Sequence, residues 1–177
     1  GVGPAGTFES GTLTFQSAGA VTIQQDSDVV LSGDNDAFSL DLDSTGSITD
    51  DATSNLLVTN NADFNGTAIT IDGAFDAGTL TFNSAGAVAI TESAGTVLTG
   101  DNSSGNLTLN TTGDITDAAD TDLVVTGNAD FNASGVITLN DNSDDTLTVS
   151  GNADFAGTTI GVGPAGTFES GTLTFQS

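Results

Sequence analysis

Twenty-four carboxylates, with no Lys, Arg, His or Cys beside them, set the chemistry open to this chain. Hard cations take oxygen ligands from Asp, Asn and backbone carbonyls. Four stretches supply such oxygens: GDND at Gly33–Asp36, TDDATSN at Thr49–Asn55, TDAADTD at Thr116–Asp122 and NDNSDD at Asn140–Asp145. The candidate Ca²⁺ ligands are therefore Asp34, Asp36, Asp50, Asp51, Asp117, Asp120, Asp122, Asp141, Asp144 and Asp145. None of the stretches is a defined calcium loop. DNDAFS lacks the glycine and terminal Glu of an EF-hand, and no Gly-Gly-x-Gly-x-Asp nonapeptide occurs. The competing reading is that these Asp residues make turns and keep the surface wet. Asp50–Asp51, Asp117 with Asp120 and Asp122, and Asp144–Asp145 are the carboxylate pairs left for acid–base work. Without a His or Lys base or a Cys nucleophile, the inventory argues against an enzyme. No catalytic or cofactor-binding residue is expected, and no cofactor is required, with Ca²⁺ or other cations acting at most as counterions.

The same inventory narrows the partners. A formal charge of −24 without a basic residue argues against nucleic acid, whose phosphates are bound by Lys and Arg. It argues equally against an acidic membrane surface, and no run of large apolar residues approaches the roughly 20 needed to span a bilayer. Leu, Ile, Val and Phe number 44 of 177 residues, above the roughly 20% floor for a disordered chain, so the chain is expected to fold. The absence of cysteine removes disulfides and thiolate metal sites. Asn65, Asn102, Asn106, Asn110 and Asn132 open N-x-[ST] sequons, about the number chance provides.

What positions these residues is a set of repeats. The opening GVGPAGTFESGTLTFQS returns unchanged at Gly161–Ser177, which defines a unit of residues 1–160 and the start of the next identical unit at 161–177. Inside the unit lies a diverged copy at an offset of 67: TLTFQSAGAVTI at Thr12–Ile23 against TLTFNSAGAVAI at Thr79–Ile90, and SGDN at Ser32–Asn35 against TGDN at Thr99–Asn102. Three kinds of short segment recur in order. The first is x-L-x-F or x-A-x-F, ending at Phe15, Leu42, Phe64, Phe82, Leu109, Phe131 and Phe155. The second follows a glycine, as in GAVTI from Gly19 and GVITL from Gly135. The third is more ragged, as in DVVL and DLVVT. Seven members per 160 residues give a period of about 23 residues.

Each segment alternates as a half-buried strand must. In NADF the inward pair is Ala62 and Phe64, and Asn61 and Asp63 face water. Gly, Asn, Asp and Ser fill the turns, and no segment has the 3.6-residue period of a helix. An antiparallel sandwich would bring hairpins and varied strands. Recurrence in fixed order instead predicts an all-β, right-handed parallel β-solenoid, triangular in section, with about 23 residues per rung and about seven rungs per repeat. Phe15, Leu42, Phe64, Phe82, Leu109, Phe131 and Phe155 are then expected to form one core column. Seven rungs at about 4.8 Å span roughly 34 Å, or about one negative charge per 1.5 Å.

Runs such as AGAVTI, TTGDITD, NGTAITI and ASGVITLN share a Gly-x-[VI]-T-[IL] pattern across essentially the whole chain. In this the chain resembles the repeats of filamentous-haemagglutinin-like secreted adhesins and giant repetitive bacterial surface proteins. The resemblance implies a right-handed β-helix exported to the cell surface or beyond. The expected role is a structural repeat of an extracellular filament or sheath, extended by further copies of the same repeat. Those copies would lie in one giant polypeptide or in stacked chains, with lateral association between filaments. The alternatives are an adhesin stalk and a Ca²⁺-dependent surface layer.

Overall fold

The computed structural model describes residues 8–177, so Pro4 and the start of the 1–160 unit lie outside it. Among the described residues there are 20 strands and no helix. All the strands pair in parallel and stack as a solenoid of about 8 turns at about 20 residues per turn. The parallel pairing excludes the sandwich. It also explains the strand lengths. Most strands run three to six residues before a Gly, Asn or Asp turns the corner, and the longest, Asn55–Asn65 and Thr146–Ala156, bend across two walls.

Register traces the walls. One runs Thr12, Val30, Thr49, Thr70, Ala89, Thr108, Asp130, Asp154, Thr174, each residue resting beside the next. These residues face outward. Their neighbours face inward: Ile48, Ile69, Val88, Leu107 and Ala129 on one flank, Ile71, Ile90, Leu109, Phe131 and Phe155 on the other. The wall takes eight steps from Thr12 to Thr174, two positions from Thr172, the copy of Thr12 in the next unit. The 160-residue unit therefore closes on the wall where it began.

This corrects two expectations. The turn holds about 20 residues and there are about 8 turns, where the sequence series suggest 23 and seven. The single core column is two. Leu42, Phe64 and Phe82 stack on one wall. Leu109, Phe131 and Phe155 stack on the next. Both discrepancies have one cause. An offset of 67 residues is about three and a third turns of this solenoid. The diverged copy is therefore rotated by one wall, and like segments from the two copies do not sit above one another. Phe15 lies at the lower end, only partly buried against the core.

The rotation leaves a seam. Strand Ala74–Asn83 is continued above by two strands: Leu80 pairs with Leu98, and Asn83 pairs with Ser103. The upper chain uses two more residues than the lower to cover that distance. They loop out at Gly100, whose φ of 66° is the left-handed geometry that glycine tolerates. The same split occurs 67 residues earlier, where Leu13 pairs with Leu31, Gln16 bridges to Asp36 and Gly33 has φ 68°.

The interior carries aromatic rings at intervals. Phe64, Phe75, Phe82, Phe131 and Phe155 are fully buried among Leu, Ile, Val and Ala. Phe131 and Phe155 stack with centroids 4.8 Å apart and rings 4° from parallel, the turn-to-turn spacing of a sheet. Each such side chain contributes about 1.5–3 kcal/mol of burial.

At two members of the Gly-x-[VI]-T pattern, Gly46 and Gly135, the corner explains the glycine. Asp114 Oδ1 accepts the N–H of Val136 in the turn above at 2.7 Å. A methyl group on the adjoining Gly135 would collide with that oxygen. Asp28 and Gly46 repeat the arrangement, with Ser47 N–H donating to Asp28 Oδ1 at 2.7 Å. Asp and Asn thus brace one turn against the next, and the glycine clears their path.

Candidate functional site

Of the ten candidate cation ligands, the fold brings three together. Carboxylate oxygens of Asp117, Asp141 and Asp145 lie within 4.8 Å of one another. Asp117 ends the strand Ile115–Asp117, while Asp141 and Asp145 flank the turn one level up. Asp145 is buried, and its two oxygens accept the N–H groups of Thr121 and Asn142. Asp117 Oδ2 accepts the N–H of Asn140 at 2.6 Å, whereas its Oδ1 is buried with no donor. Burial, followed by the nearby charges of Asp145 and Asp141, pushes the Asp117 carboxyl up to about 6, against the pull of the Asn140 N–H. Chemically, the trio offers hard oxygens of the kind a divalent cation takes, or it holds a proton near pH 6.

The remaining candidates are apart from it. Asp34 and Asp36 face outward on Asp34–Ala37, and Asn55 donates to Asp34 at 3.4 Å. Asp50 occupies the position equivalent to Asp117 one copy earlier and accepts the N–H groups of Asp72 and Gly73. Burial raises its pKa, opposed by those two N–H groups. Asp51 caps its own turn by accepting from Thr53, and its pKa is lowered by the hydroxyl of Ser32 and then by the hydroxyl and N–H of Thr53. Asp120 is a turn residue with φ 60°. Asp122 accepts from the hydroxyl of Thr146, and Asp144 is exposed.

The GDN motif works through its Asn, a residue that a search for charged ligands passes over. Asn102 is buried at the seam. Its Oδ1 accepts the N–H of Phe82 at 3.0 Å, and its Nδ2 donates to the carbonyls of Thr99 and Gly100. The amide stands in for the strand partner that the split has carried away. Asn35 does the same for Phe15, Ser32 and Gly33. The recurrence of SGDN as TGDN was the available signal. A side chain so engaged makes Asn102 unsuitable as a glycan acceptor in the folded chain.

A second buried polar position also recurs. Glu92 is 1% exposed; its carboxylate accepts the N–H of Ala77 at 2.9 Å and the hydroxyl of Thr96. Burial pushes it up to about 7, opposed by those two donors. Its counterpart 67 residues earlier is Gln25, which donates to the carbonyl of Ser10 and leaves its own Oε1 without a partner. Ser10 and Ala77 are themselves counterparts. The same corner is held in opposite polarity in the two copies.

The two ends of the solenoid complete the inventory. At one end Phe8, Leu13, Phe15, Val21 and Ile23 line an open hollow. At the other, Leu173 and Phe175 top the core at 42% and 53% exposure, with Phe175 5.7 Å from Phe155.

A family model described as repeats of unknown function (DUF5649) matches residues 85–149. These residues span part of the diverged copy and the acidic trio. Comparisons with curated proteins and with solved structures give no match. With the repeats stacked turn on turn, the chain is a repeat β-helix protein.

Proposed function

We propose that the chain is a structural repeat of an extracellular filament, sheath or surface stalk, built by continuing the solenoid from one 160-residue unit into the next. The observation that carries this reading is the phase of the repeat. Eight turns return the copied segment to its starting wall, shifted by two residues. A further unit then meets the same walls that the first one offers. The Gly-x-[VI]-T-[IL] pattern supports a place beside secreted adhesin repeats, and with it a surface location. The role is mechanical and not catalytic. Eight turns at about 4.8 Å span roughly 38 Å, so the 23 carboxylates of residues 1–160 fall about one per 1.7 Å, as on duplex DNA. Cations are the counterions of such a rod, and lateral association between rods is expected to rise with salt and Ca²⁺.

The test is length. Chains carrying one, two and three units are compared by small-angle scattering. Each added unit should lengthen the particle by roughly 38 Å at constant cross-section. Units that collapse against each other, or a length that does not scale, would defeat the reading.

A further inference from the structure

The corner at Asp117 occurs twice in the unit, 67 residues apart, and only the first version satisfies itself. Asp50 lies beneath a turn of two residues, 72–73, between Ile69–Ile71 and Ala74–Asn83. Each of its oxygens accepts an N–H from that turn. Asp117 lies beneath a turn of six residues, 140–145, between Val136–Leu139 and Thr146–Ala156. Its Oδ2 accepts the Asn140 N–H, and its Oδ1 is buried with no partner among the described residues. The longer turn adds Asp141 and Asp145, and oxygens of the three carboxylates come within 4.8 Å of one another.

A neutral side chain in the same turn is also buried without a partner. Asn140 is 1% exposed, and neither its Nδ2 nor its Oδ1 is hydrogen-bonded among the described residues. Its amide folds across the turn toward Asp145: a side chain on Gly166, one level up, would collide with Asn140 Oδ1 and with the Asp145 carbonyl oxygen together. Buried polar groups are otherwise hydrogen-bonded. The chain has no Lys, Arg or His to answer three neighbouring carboxylates.

We propose that Asp117, Asp141, Asp145 and Asn140 bind one calcium ion. Ca²⁺ takes about six to eight oxygens at about 2.3–2.6 Å, so two oxygens on one ion stand no more than about 5 Å apart. The three carboxylates meet that limit. Asp117 Oδ1 and Asn140 Oδ1 are the oxygens with nothing else bound to them. Asp145 accepts the N–H groups of Thr121 and Asn142 and still has lone pairs for an ion. Asp141 is exposed, which leaves water a way to the remaining positions. Mg²⁺ fits less well, because it demands a near-ideal octahedron and gives up its water reluctantly. The ion ties the turn that ends at Asp117 to the turn above it. The site lies within one unit and stands apart from the continuation between units.

The test uses the full 177-residue chain, stripped with a chelator and titrated with CaCl₂ by calorimetry. Salt at about 0.15 M screens diffuse attraction beyond about 8 Å. One saturable site per chain is expected, with a higher melting temperature once it is filled. Asp141→Asn changes an exposed side chain and should weaken binding about tenfold or more while circular dichroism stays β-rich. Asp117→Asn is the second variant and should weaken it as much. Asp144→Asn removes the same charge from the same turn outside the trio, and it should change the affinity by less than about twofold. Absence of saturable binding would overturn the site, as would equal losses in Asp141→Asn and Asp144→Asn, the mark of diffuse attraction. Equal affinity for MgCl₂ would overturn the choice of Ca²⁺. A melting temperature that rises on acidification to about pH 5 and not with Ca²⁺ would assign the trio to a shared proton instead.

Discussion

Phe8–Ser17 and Phe168–Ser177 are the same ten residues in two structures. In the first, only Thr12–Leu13 is strand; in the second, Thr167–Gln176 is one continuous strand. Intrinsic propensity is identical, so the neighbour decides. The second copy lies along the unbroken Thr146–Ala156 and pairs at eight positions. The first lies beneath Val29–Leu31 and Asp34–Ala37, two strands parted by the left-handed turn at Gly33. A strand in this solenoid takes its length from the turn it is laid on.

The largest expected effect comes from removing the floor of the better-seated copy. Phe155→Ala should cost about 3–5 kcal/mol, because it empties a fully buried site between Phe131 and Phe175. Phe15→Ala, at the poorly seated copy, should cost clearly less. Urea midpoints measure both, and equal losses would mean the two copies are equally well held.

A smaller effect sharpens the comparison at the two seams. Asn102→Ala leaves the buried Phe82 N–H without an acceptor and should cost about 1–3 kcal/mol. Asn35→Ala should cost less, since its bond from the Phe15 N–H is only part-buried and the one from Phe82 to Asn102 is buried. A reversed order would contradict the difference in burial between the two seams.

The smallest effect is a pH dependence that one copy has and the other lacks. Glu92 has its pKa raised from 4.5 to about 7, with Asp76 as the charged neighbour that adds to the burial. Its neutral form is the one favoured by folding. Its contribution is complete below about pH 4.5 and is lost as pH rises to about 7. Glu92→Gln should therefore raise the melting temperature at pH 8 and leave it unchanged at pH 4. Gln25→Glu should introduce a loss of the same sign in the first copy. Melting curves that shift equally at both pH values would remove the titration from the explanation.

The sequence carried the parallel solenoid because stacking like on like leaves a visible period. The alternation in NADF placed Ala62 and Phe64 inside, and both are fully buried. It carried the turn length less well. TLTF ends at Phe82 on one wall while its nearest look-alike, NLTL at Leu109, ends on another, and a one-dimensional alignment has no coordinate for rotation about the axis. The acidic stretches misled in a related way. Asp34 and Asp36 drew attention to GDND, but the buried Asn35 between them makes the structural contacts. Asp117, Asp141 and Asp145 come from two successive turns, so their proximity depends on a register that spacing along the chain does not give.

Register is also where the eight-turn arrangement is most directly tested. The chain has no cysteine, so engineered pairs report without background. Ala89 and Thr108 are neighbours on adjacent turns, within the separation a disulfide bridges. Thr81 and Thr108 would be neighbours if TLTF and NLTL shared one column. Oxidation of Ala89→Cys with Thr108→Cys should give a bridge in high yield, and Thr81→Cys with Thr108→Cys should give none. A bridge in the second pair and not in the first would contradict the rotation of the two copies and the eight-turn unit built on it.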